Sequence, residues 1–501
     1  MNNVTIKTRT VGVGVYDHGY SLAYERLTDH QLNLSGSRHR LWKIRAKQII
    51  TATGAIERPL SFANNDVPGV MLASAVRNYL TNYGVSIGDR TVIVTNNDDA
   101  YRTAISLKNA GLSVPLIIDT RPNGAGELAK TARDLGIRIE NGKAISIVHG
   151  KDRVKGISLC DQVGSGTVLE EISCDAVAMS GGWSPVVHLW SHCGGKLNWD
   201  NELCAFRPDT QLPPTGVNGL ACLSVVGSAN GDLLIDEIFR VTYEVTLRVI
   251  KELDLETNEA PRQSTKGIKE NSISAVWKMP YGASTKLKSK TWLDFQNDVK
   301  VIDVELAAQE GFESVEHAKR YTTLGMATDQ GKLSNINGLA ILSESLHKDI
   351  PSVGTTTFRP PYSPISMGSI AGEARSELFQ PIRKTPMHDW HDKHGAKWEP
   401  VGHWLRPYCY VQEGESVKQA VFREVTACRN KVGVLDASTL GKIMVRGKDS
   451  GKFLDMIYTN MMSNLKLGKC RYGLICSENG FLIDDGVVAR IDENSYLYFY
   501  M

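Results

Sequence analysis

The sequence predicts a multidomain protein that combines α/β and α+β parts, and three observations support this fold class. The chain has 501 residues, more than a single domain usually contains. Short β-branched runs alternate with helical patterns over the first half, which is typical of a parallel sheet with crossover helices. A separate series of glycine-marked motifs fills roughly the last hundred residues.

Composition narrows the class of protein. Hydrophobic residues make up 42% and charged residues 22% of the chain, and the net charge is +2. This balance gives no support for a nucleic-acid partner or a membrane surface, and no apolar run approaches the roughly 20 residues that span a bilayer. The 9 cysteines are scattered and none forms a CxxC pair, so neither a disulfide framework nor a zinc knuckle is expected. We therefore expect a cytoplasmic protein.

Residues 1–252 are predicted to form a Rossmann-like FAD/NAD(P)-binding domain. The βαβ pattern consists of a strand at Thr91–Val94, a helix at Asp99–Ala110 and a strand at Val114–Ile118 that ends at Asp119. Asp119 occupies a position that suits a ribose. The intervening turn, residues 95–100, contains no glycine, and the two carboxylates of Asp98 and Asp99 would repel a phosphate. This slot is therefore expected to be structural.

A second motif, residues 51–59, has the sequence TATGAIERP. It resembles the ATGxxxRP crossing segment of pyridine-nucleotide-disulfide-oxidoreductase-like domains. Glycine permits close approach of a ligand, and arginine can steady either the turn or a phosphate. With the later strand ends, the motif gives five candidate cofactor-binding residues: Thr53, Gly54, Arg58, Gly182 and Gly227. No GxGxxG precedes Thr51, so we expect the N-terminal part of this domain to be missing.

A polar stretch at 253–290 is predicted to be a linker, followed by a helical module at 291–345. The module resembles the [2Fe–2S] modules of ferredoxin-like relatives. The four cluster cysteines of those modules would lie near Phe295, Asn297, Asp329 and Ser334, and none of these is a cysteine here. No iron–sulfur cluster is expected, because such clusters need thiolates. The basic residues Lys319, Arg320 and Lys332 belong either to a flavin interface or to a solvated helical spacer.

After an extended connection at 346–384, residues 385–501 carry the most specific motifs. They include VGVLDAS at 432–438, GKCRYG at 468–473 and GFLIDD at 480–485. In this order they resemble the start of the glycine-cleavage T-protein, a folate-binding aminomethyltransferase. The resemblance implies that Asp484 or Asp485 is the acid beside the folate amine. The domain is expected to be cut, because the chain ends within a β-like run.

Three histidines open this last region and suggest a metal site. His388, His391 and His394 have a spacing that does not place all three on one narrow helix face. We therefore expect no metal there.

Taken together, the regions resemble the α subunit of heterotetrameric sarcosine oxidases. The resemblance implies a role in oxidative demethylation of sarcosine to glycine with reduction of O2 to H2O2. It also implies NAD, tetrahydrofolate and an FMN at the interface with a β subunit, with γ and δ subunits as further partners. Two alternatives remain open, namely the large subunit of an opine-oxidase or cyanide-synthase-type amine dehydrogenase, and a non-catalytic scaffold subunit.

Overall fold

A computed structural model describes residues 3–31, 36–124, 126–216, 219–257, 263–265, 267–268 and 270–500. Met1 and Met501, at the two predicted truncations, lie outside the described residues. The chain divides into two compact units, residues 1–370 and 371–501. Within the described ranges, no helix is both long enough and apolar enough to cross a membrane.

The first unit opens with an antiparallel three-stranded sheet in the order β1-β2-β3, followed by two short strands. Their bounds are β1 (Thr10–Tyr16), β2 (Tyr20–Arg26), β3 (His39–Arg45), β4 (Ile49–Thr51) and β5 (Ala55–Glu57).

A five-stranded parallel sheet forms the centre of the first unit, with the order β6-β13-β7-β8-β9. The elements are β6 (Val70–Leu72), α1 (Ala73–Tyr83), β7 (Thr91–Thr95), α2 (Asp99–Asn109), β8 (Ile117–Asp119), α3 (Glu127–Asp134), β9 (Ile139–Asn141), β10 (Lys143–Gly150), β11 (Val154–Asp161), β12 (Glu170–Ser173) and β13 (Ala176–Ser180). Alternate residues of β7 enter different core clusters: Val92 and Val94 pack on one face, and Ile93 on the other. Both faces are covered, which confirms the α/β prediction.

The next elements bring two chain crossings together. They are β14 (Trp183–Pro185), α4 (His188–His192), β15 (Leu197–Asp200), β16 (Ala205–Pro208), β17 (Leu223–Val225) and α5 (Ile235–Glu252). Strand β17 runs parallel to β4, with Val225 opposite Thr51, and β14 pairs with β5. Since parallel strands end at the same edge, the turn after Thr51 lies beside the turn after Val225.

The end of the predicted linker is packed. Val276 and Met279 join the core of the five-stranded sheet, and Trp277 joins the core of the following module. Because the rest of the segment is polar, its composition predicted a linker despite these three apolar residues. The elements of this part are α6 (Thr285–Lys288), β18 (Trp292–Asp294), β19 (Val299–Lys300), α7 (Val301–Gln309), α8 (Val315–Thr322), α9 (Asn335–Leu346), α10 (Ile350–Val353) and α11 (Met367–Ala371).

The second unit is an α+β structure with sheets ordered β20-β22-β21 and β23-β26-β25-β24. Its elements are β20 (Arg383–Lys384), α12 (His388–Lys393), β21 (Ala396–Val401), β22 (Trp404–Tyr410), α13 (Val417–Asn430), β23 (Gly441–Arg446), α14 (Ser450–Ile457), β24 (Cys470–Cys476), β25 (Leu482–Asp492) and β26 (Ser495–Tyr500). Leu454, Tyr458, Val488 and Tyr496 form its core on one face of the four-stranded sheet.

Candidate functional site

Arg58 ties the crossing segments of the first unit together. Its side chain is 3% exposed and donates to the carbonyls of Gly181 (3.1 Å), Leu203 (3.2 Å) and Cys204. Burial lowers the pKa of Arg58 to about 10. Gly182 has a φ of +95°, and a Cβ there would come within 2.6 Å of the Arg58 guanidinium. Of the two roles that the sequence left open, the structure therefore shows Arg58 steadying the turn.

Thr53, Gly54 and Gly227 meet at the shared edge of β4 and β17. Gly54 has a φ of +76°, and a Cβ there would lie 3.9 Å from the hydroxyl oxygen of Ser228, next to Gly227. The Thr53 hydroxyl donates to the carbonyl of Val186 at 2.9 Å. Ligands of open α/β sheets bind at this kind of edge, and the glycine leaves backbone there without a side chain.

The turn after β7, which the sequence predicted to be structural, is filled by a buried ionic network. Arg121 donates to Asp98 Oδ1 at 2.6 Å, to Asp119 Oδ1 at 3.0 Å and to Asp119 Oδ2 at 2.7 Å. The Tyr101 hydroxyl donates to Asp119 Oδ2 at 2.8 Å. Asp119 is fully buried, so the position that suited a ribose is closed to one, because both of its oxygens are already hydrogen-bonded.

A strap, residues 270–274, lies over the same turn. The backbone N–H and the side-chain amide of Asn271 donate to Asp98 Oδ2 at 2.8 and 3.0 Å. Arg121 donates to the carbonyl of Ser272 at 3.3 Å, and the Asn96 amide donates to the carbonyl of Ser274 at 2.7 Å. The chain thus occupies the crevice that a dinucleotide would need.

A single carboxylate organises the region that resembles iron–sulfur modules. Asp294 is 2% exposed and accepts N–H groups of Gln296 at 3.0 Å, Asn297 at 3.1 Å and Gly325 at 2.7 Å. The Ser334 hydroxyl donates to it at 3.3 Å. Two of the four expected cysteine positions, Asn297 and Ser334, therefore meet at a carboxylate, and the sequence pattern gave no sign of this role for Asp294.

The basic residues of this module differ in environment. Lys319 is 8% exposed, and burial lowers its pKa. Arg320 is exposed and pairs with Glu316 at 3.1 Å on the same helix. Lys332 is half-buried, and its Nζ donates to the carbonyls of Asp329 and Tyr362, both at 3.0 Å. Only Arg320 fits the alternative of a solvated spacer.

The carboxylates of Asp484 and Asp485 project from opposite faces of β25. Asp484 pairs with Ile475, and both share the core face with Val488. Asp485 lies on the other face, where its Oδ2 accepts a hydrogen bond from the Tyr472 hydroxyl. That hydrogen bond raises the pKa of Tyr472, so the phenol stays protonated.

The side chains around the Asp485 carboxylate are largely exposed. Tyr472 is 56% exposed, Ile483 65% and Leu474, opposite Asp485, 37%. Tyr472 was not singled out from the sequence, although it lies in the GKCRYG motif.

Of the three histidines that open the second unit, only His391 is built into a buried network. Its Nε2 lies 3.0 Å from Asp436 Oδ2, and its Nδ1 contacts the Tyr410 hydroxyl. Burial alone would raise the pKa of Asp436, but hydrogen bonds from Ser438 and His391 lower it. His388 and His394 instead stack on Trp398 and Trp390. Over the described residues, no group of three or more histidine, cysteine or acidic side chains is arranged to hold a metal ion.

The structure thus comprises a first unit built around a Rossmann-like parallel sheet and a second unit of the α+β class. Family models agree with this division: the sarcosine oxidase A3 domain matches residues 288–373, and the GCVT N-terminal domain matches residues 387–500. Along nearly its whole length the chain is similar to sarcosine oxidase α subunits. It is 39% identical to sarcosine oxidase subunit alpha of Corynebacterium sp. (strain U-96) over 98% of this chain and 51% of that protein.

The chain thus spans about half the length of the curated relatives it matches. An aminomethyltransferase of Corynebacterium aurimucosum is 37% identical over 113 residues, which are 23% of this chain and 28% of that protein. The structure of L-proline dehydrogenase from P. horikoshii shares the fold, with a TM-score of 0.52 and 18% identity over 72% of this chain and 64% of that chain.

Proposed function

We propose that the chain acts as the α subunit of a sarcosine oxidase. The overall reaction converts sarcosine to glycine, reduces O2 to H2O2 and transfers the released one-carbon unit to tetrahydrofolate. The observation that carries the proposal is the similarity to sarcosine oxidase α subunits, which extends over 98% of the chain and crosses both units. Two family models also match the chain, at residues 288–373 and at residues 387–500.

Of the two candidate acids, we assign the folate-site role to Asp485. A group that acts on the folate amine must be reachable from solvent, and Asp485 lies on the open face of β25. Both acids are half-buried, but Asp484 shares its face of the strand with the fully buried Val488. The exposed Tyr472, Leu474 and Ile483 supply the flat apolar surroundings that a pterin ring needs.

Asp485 would hold the cationic amine of the folate and accept a proton as the amine captures formaldehyde. Tyr472 acts as a positioning residue. Its hydroxyl donates to one carboxylate oxygen of Asp485, which leaves the other oxygen for the substrate amine.

The cofactor sites follow the geometry of the first unit. NAD would be held at the edge of β4 and β17, where Gly54 and Gly227 meet, because the crevice after β7 is filled by Arg121 and the strap. Arg58 and Gly182 would stabilise the neighbouring turn after β5. A flavin supplies the two-electron oxidation of the amine, and FMN would lie at an interface with the β subunit, held by Lys319 and Arg320. We expect γ and δ subunits as further partners and no iron–sulfur cluster.

The test compares two isosteric variants in the complex that contains this chain. Asp485→Asn should lower folate-dependent transfer by about 10²–10⁴-fold, since a positioned acid–base group contributes this much. Sarcosine oxidation itself should continue and release free formaldehyde. Asp484→Asn is the matched control and should retain transfer. Equal loss in both variants would overturn the assignment of Asp485, and absence of sarcosine oxidation by the unaltered complex would overturn the proposed function.

A further inference from the structure

A small cavity in the first unit combines one lysine with buried polar groups and an apolar wall. It lies between the turn after β14 and the loop before α9. Its polar lining includes Ser184, His188 and Lys332, and its apolar lining includes Ile56, Phe206 and Phe358. The sequence singled out only Lys332 among these residues, and as a candidate for cofactor binding.

His188 is the observation that points to a ligand. Its side chain is 7% exposed, and neither ring nitrogen has a hydrogen-bond partner in the described part of the chain. The ring stacks on Tyr362 at a centroid distance of 4.1 Å, so its flat face is occupied while its edges carry the unused nitrogens. Leaving a buried polar group without a partner is energetically unfavourable. Native structures avoid such groups unless something else satisfies them.

Ser184 repeats the pattern on the same cavity. Its hydroxyl oxygen is buried and also has no hydrogen-bond partner among the described residues. Lys332 has three N–H donors, of which two go to the carbonyls of Asp329 and Tyr362. Its third donor is available, and its Nζ lies 4.1 Å from the centre of the Tyr362 ring. Donors of three chemical types thus surround one small space.

Size and charge select the ligand. The free volume of about 50 Å³ corresponds to roughly three to five water molecules, since each needs about 10–15 Å³. This is too little space for a nucleotide or a flavin ring. Lys332 is the only lysine or arginine among the lining residues. One cation balances one negative charge, and the apolar wall favours a ligand with an aliphatic end.

We propose that this cavity binds a small aliphatic monocarboxylate through Ser184, His188 and Lys332. The carboxylate oxygens accept from the Lys332 ammonium, the Ser184 hydroxyl and the N–H of the neutral His188 ring, while the aliphatic end contacts Ile56 and Phe206. Acetate is a carboxylate of this size, whereas glycine and sarcosine carry an additional ammonium group, for which the lining has no acidic residue. The site itself does not depend on the proposed function.

Burial keeps the His188 imidazole neutral, which is the form that the proposed binding requires. It lowers the pKa of His188 to about 3, with smaller contributions from His192 and Lys332, so the ring is neutral at physiological pH. A neutral ring offers one donor and adds no second positive charge.

The test titrates acetate, glycine, sarcosine and inorganic phosphate into the full chain by calorimetry, with thermal stability as a second readout. We expect saturable binding of at least one carboxylate and a rise in the unfolding temperature that follows its occupancy. Lys332→Met and His188→Phe should each weaken binding about tenfold or more, because each removes a donor to a charged group. Phenylalanine preserves the stack on Tyr362. Lys348→Met, which removes an exposed lysine paired with Glu313, is the control and should bind as the unaltered chain does.

Three results would overturn the proposal: binding of phosphate without any carboxylate, no binding of any carboxylate at tens of millimolar, or carboxylate binding that both variants retain. Far-ultraviolet circular dichroism shows whether the variants fold. If Lys332→Met does not, Lys332→Gln replaces it, since glutamine keeps a neutral donor and should still weaken carboxylate binding.

Discussion

Two polar regions of the first unit contrast in how their buried groups are partnered. After β7, Asp98, Asp119 and Arg121 satisfy one another, and the strap completes the network. In the cavity beside Lys332, His188 and Ser184 keep polar atoms for which the described residues offer no partner. The first region was predicted to be structural, and the second contains Lys332, which was a candidate cofactor-binding residue. The difference teaches that a ligand site is better recognised by what its polar groups lack than by how many of them there are.

The largest effect is expected from breaking the closed network. Arg121→Met leaves Asp98 and Asp119 buried without their counter-charge, which should lower the free energy of unfolding by about 3–5 kcal/mol. Urea unfolding measures it. Arg138→Met is the control, because Arg138 also pairs with two acids but at the surface, and its effect should be far smaller. If the two substitutions lowered the free energy of unfolding equally, the network after β7 would be no more important than a surface ion pair.

The buried histidine at the cavity should make the stability of the folded chain sensitive to acid. Burial lowers the pKa values of His188 to about 3 and of His192 to about 4, against an ordinary value of 6.5. The unfolded chain takes up protons on these rings below 6.5 while the folded chain does not, so stability is lost as the pH falls from 6.5 toward 4. Between pH 7 and pH 5 the His188 ring should account for about 2 kcal/mol, and the more exposed His192 ring for less, because solvent screens its charge.

His188→Phe tests this assignment, because it should remove more than half of the pH dependence that the two rings contribute. The measurement is urea unfolding at a series of pH values for both proteins. An unchanged dependence would mean that His188 is protonated or hydrogen-bonded in the folded chain, and the contrast with the network after β7 would be lost.

The smallest effect concerns the strap. Asn271→Ala removes one side-chain hydrogen bond to Asp98 but keeps the backbone one, so the cost should be about 1 kcal/mol. The rate of hydrogen exchange of the strap amides should also increase in this variant. Asn198→Ala, at an exposed position of β15, is the control. A loss as large as that of Arg121→Met would show that the strap, rather than the ion pairs, closes the crevice.

Much of the local structure could be predicted from the sequence. The helix predicted at Asp99–Ala110 ends one residue earlier in the structure, at Asn109, and the strand predicted at Thr91–Val94 extends by one residue. Periodic apolar residues decide such elements locally. The missing glycines and the two adjacent acids after β7 also indicated a structural turn, because charge repulsion needs no tertiary information.

Other features depended on residues far apart in the chain. Asn271 reaches Asp98 across 173 positions, and Trp277 packs in a segment whose polar composition predicted a linker. The pairing of Asp485 with Tyr472 separates it from Asp484, which no sequence pattern distinguished.

The sequence by itself determined the fold class, the order of the regions and the residue types available for chemistry, since these follow from periodicity, composition and motif spacing. The tertiary structure alone decided which of those residues remain available. Packing assigned Arg58 to backbone carbonyls and Arg121 to two acids, and it left the ring nitrogens of His188 without a hydrogen-bond partner among the described residues. A side chain's chemistry is encoded locally, but its hydrogen-bond partners are set by chain segments that only folding brings together.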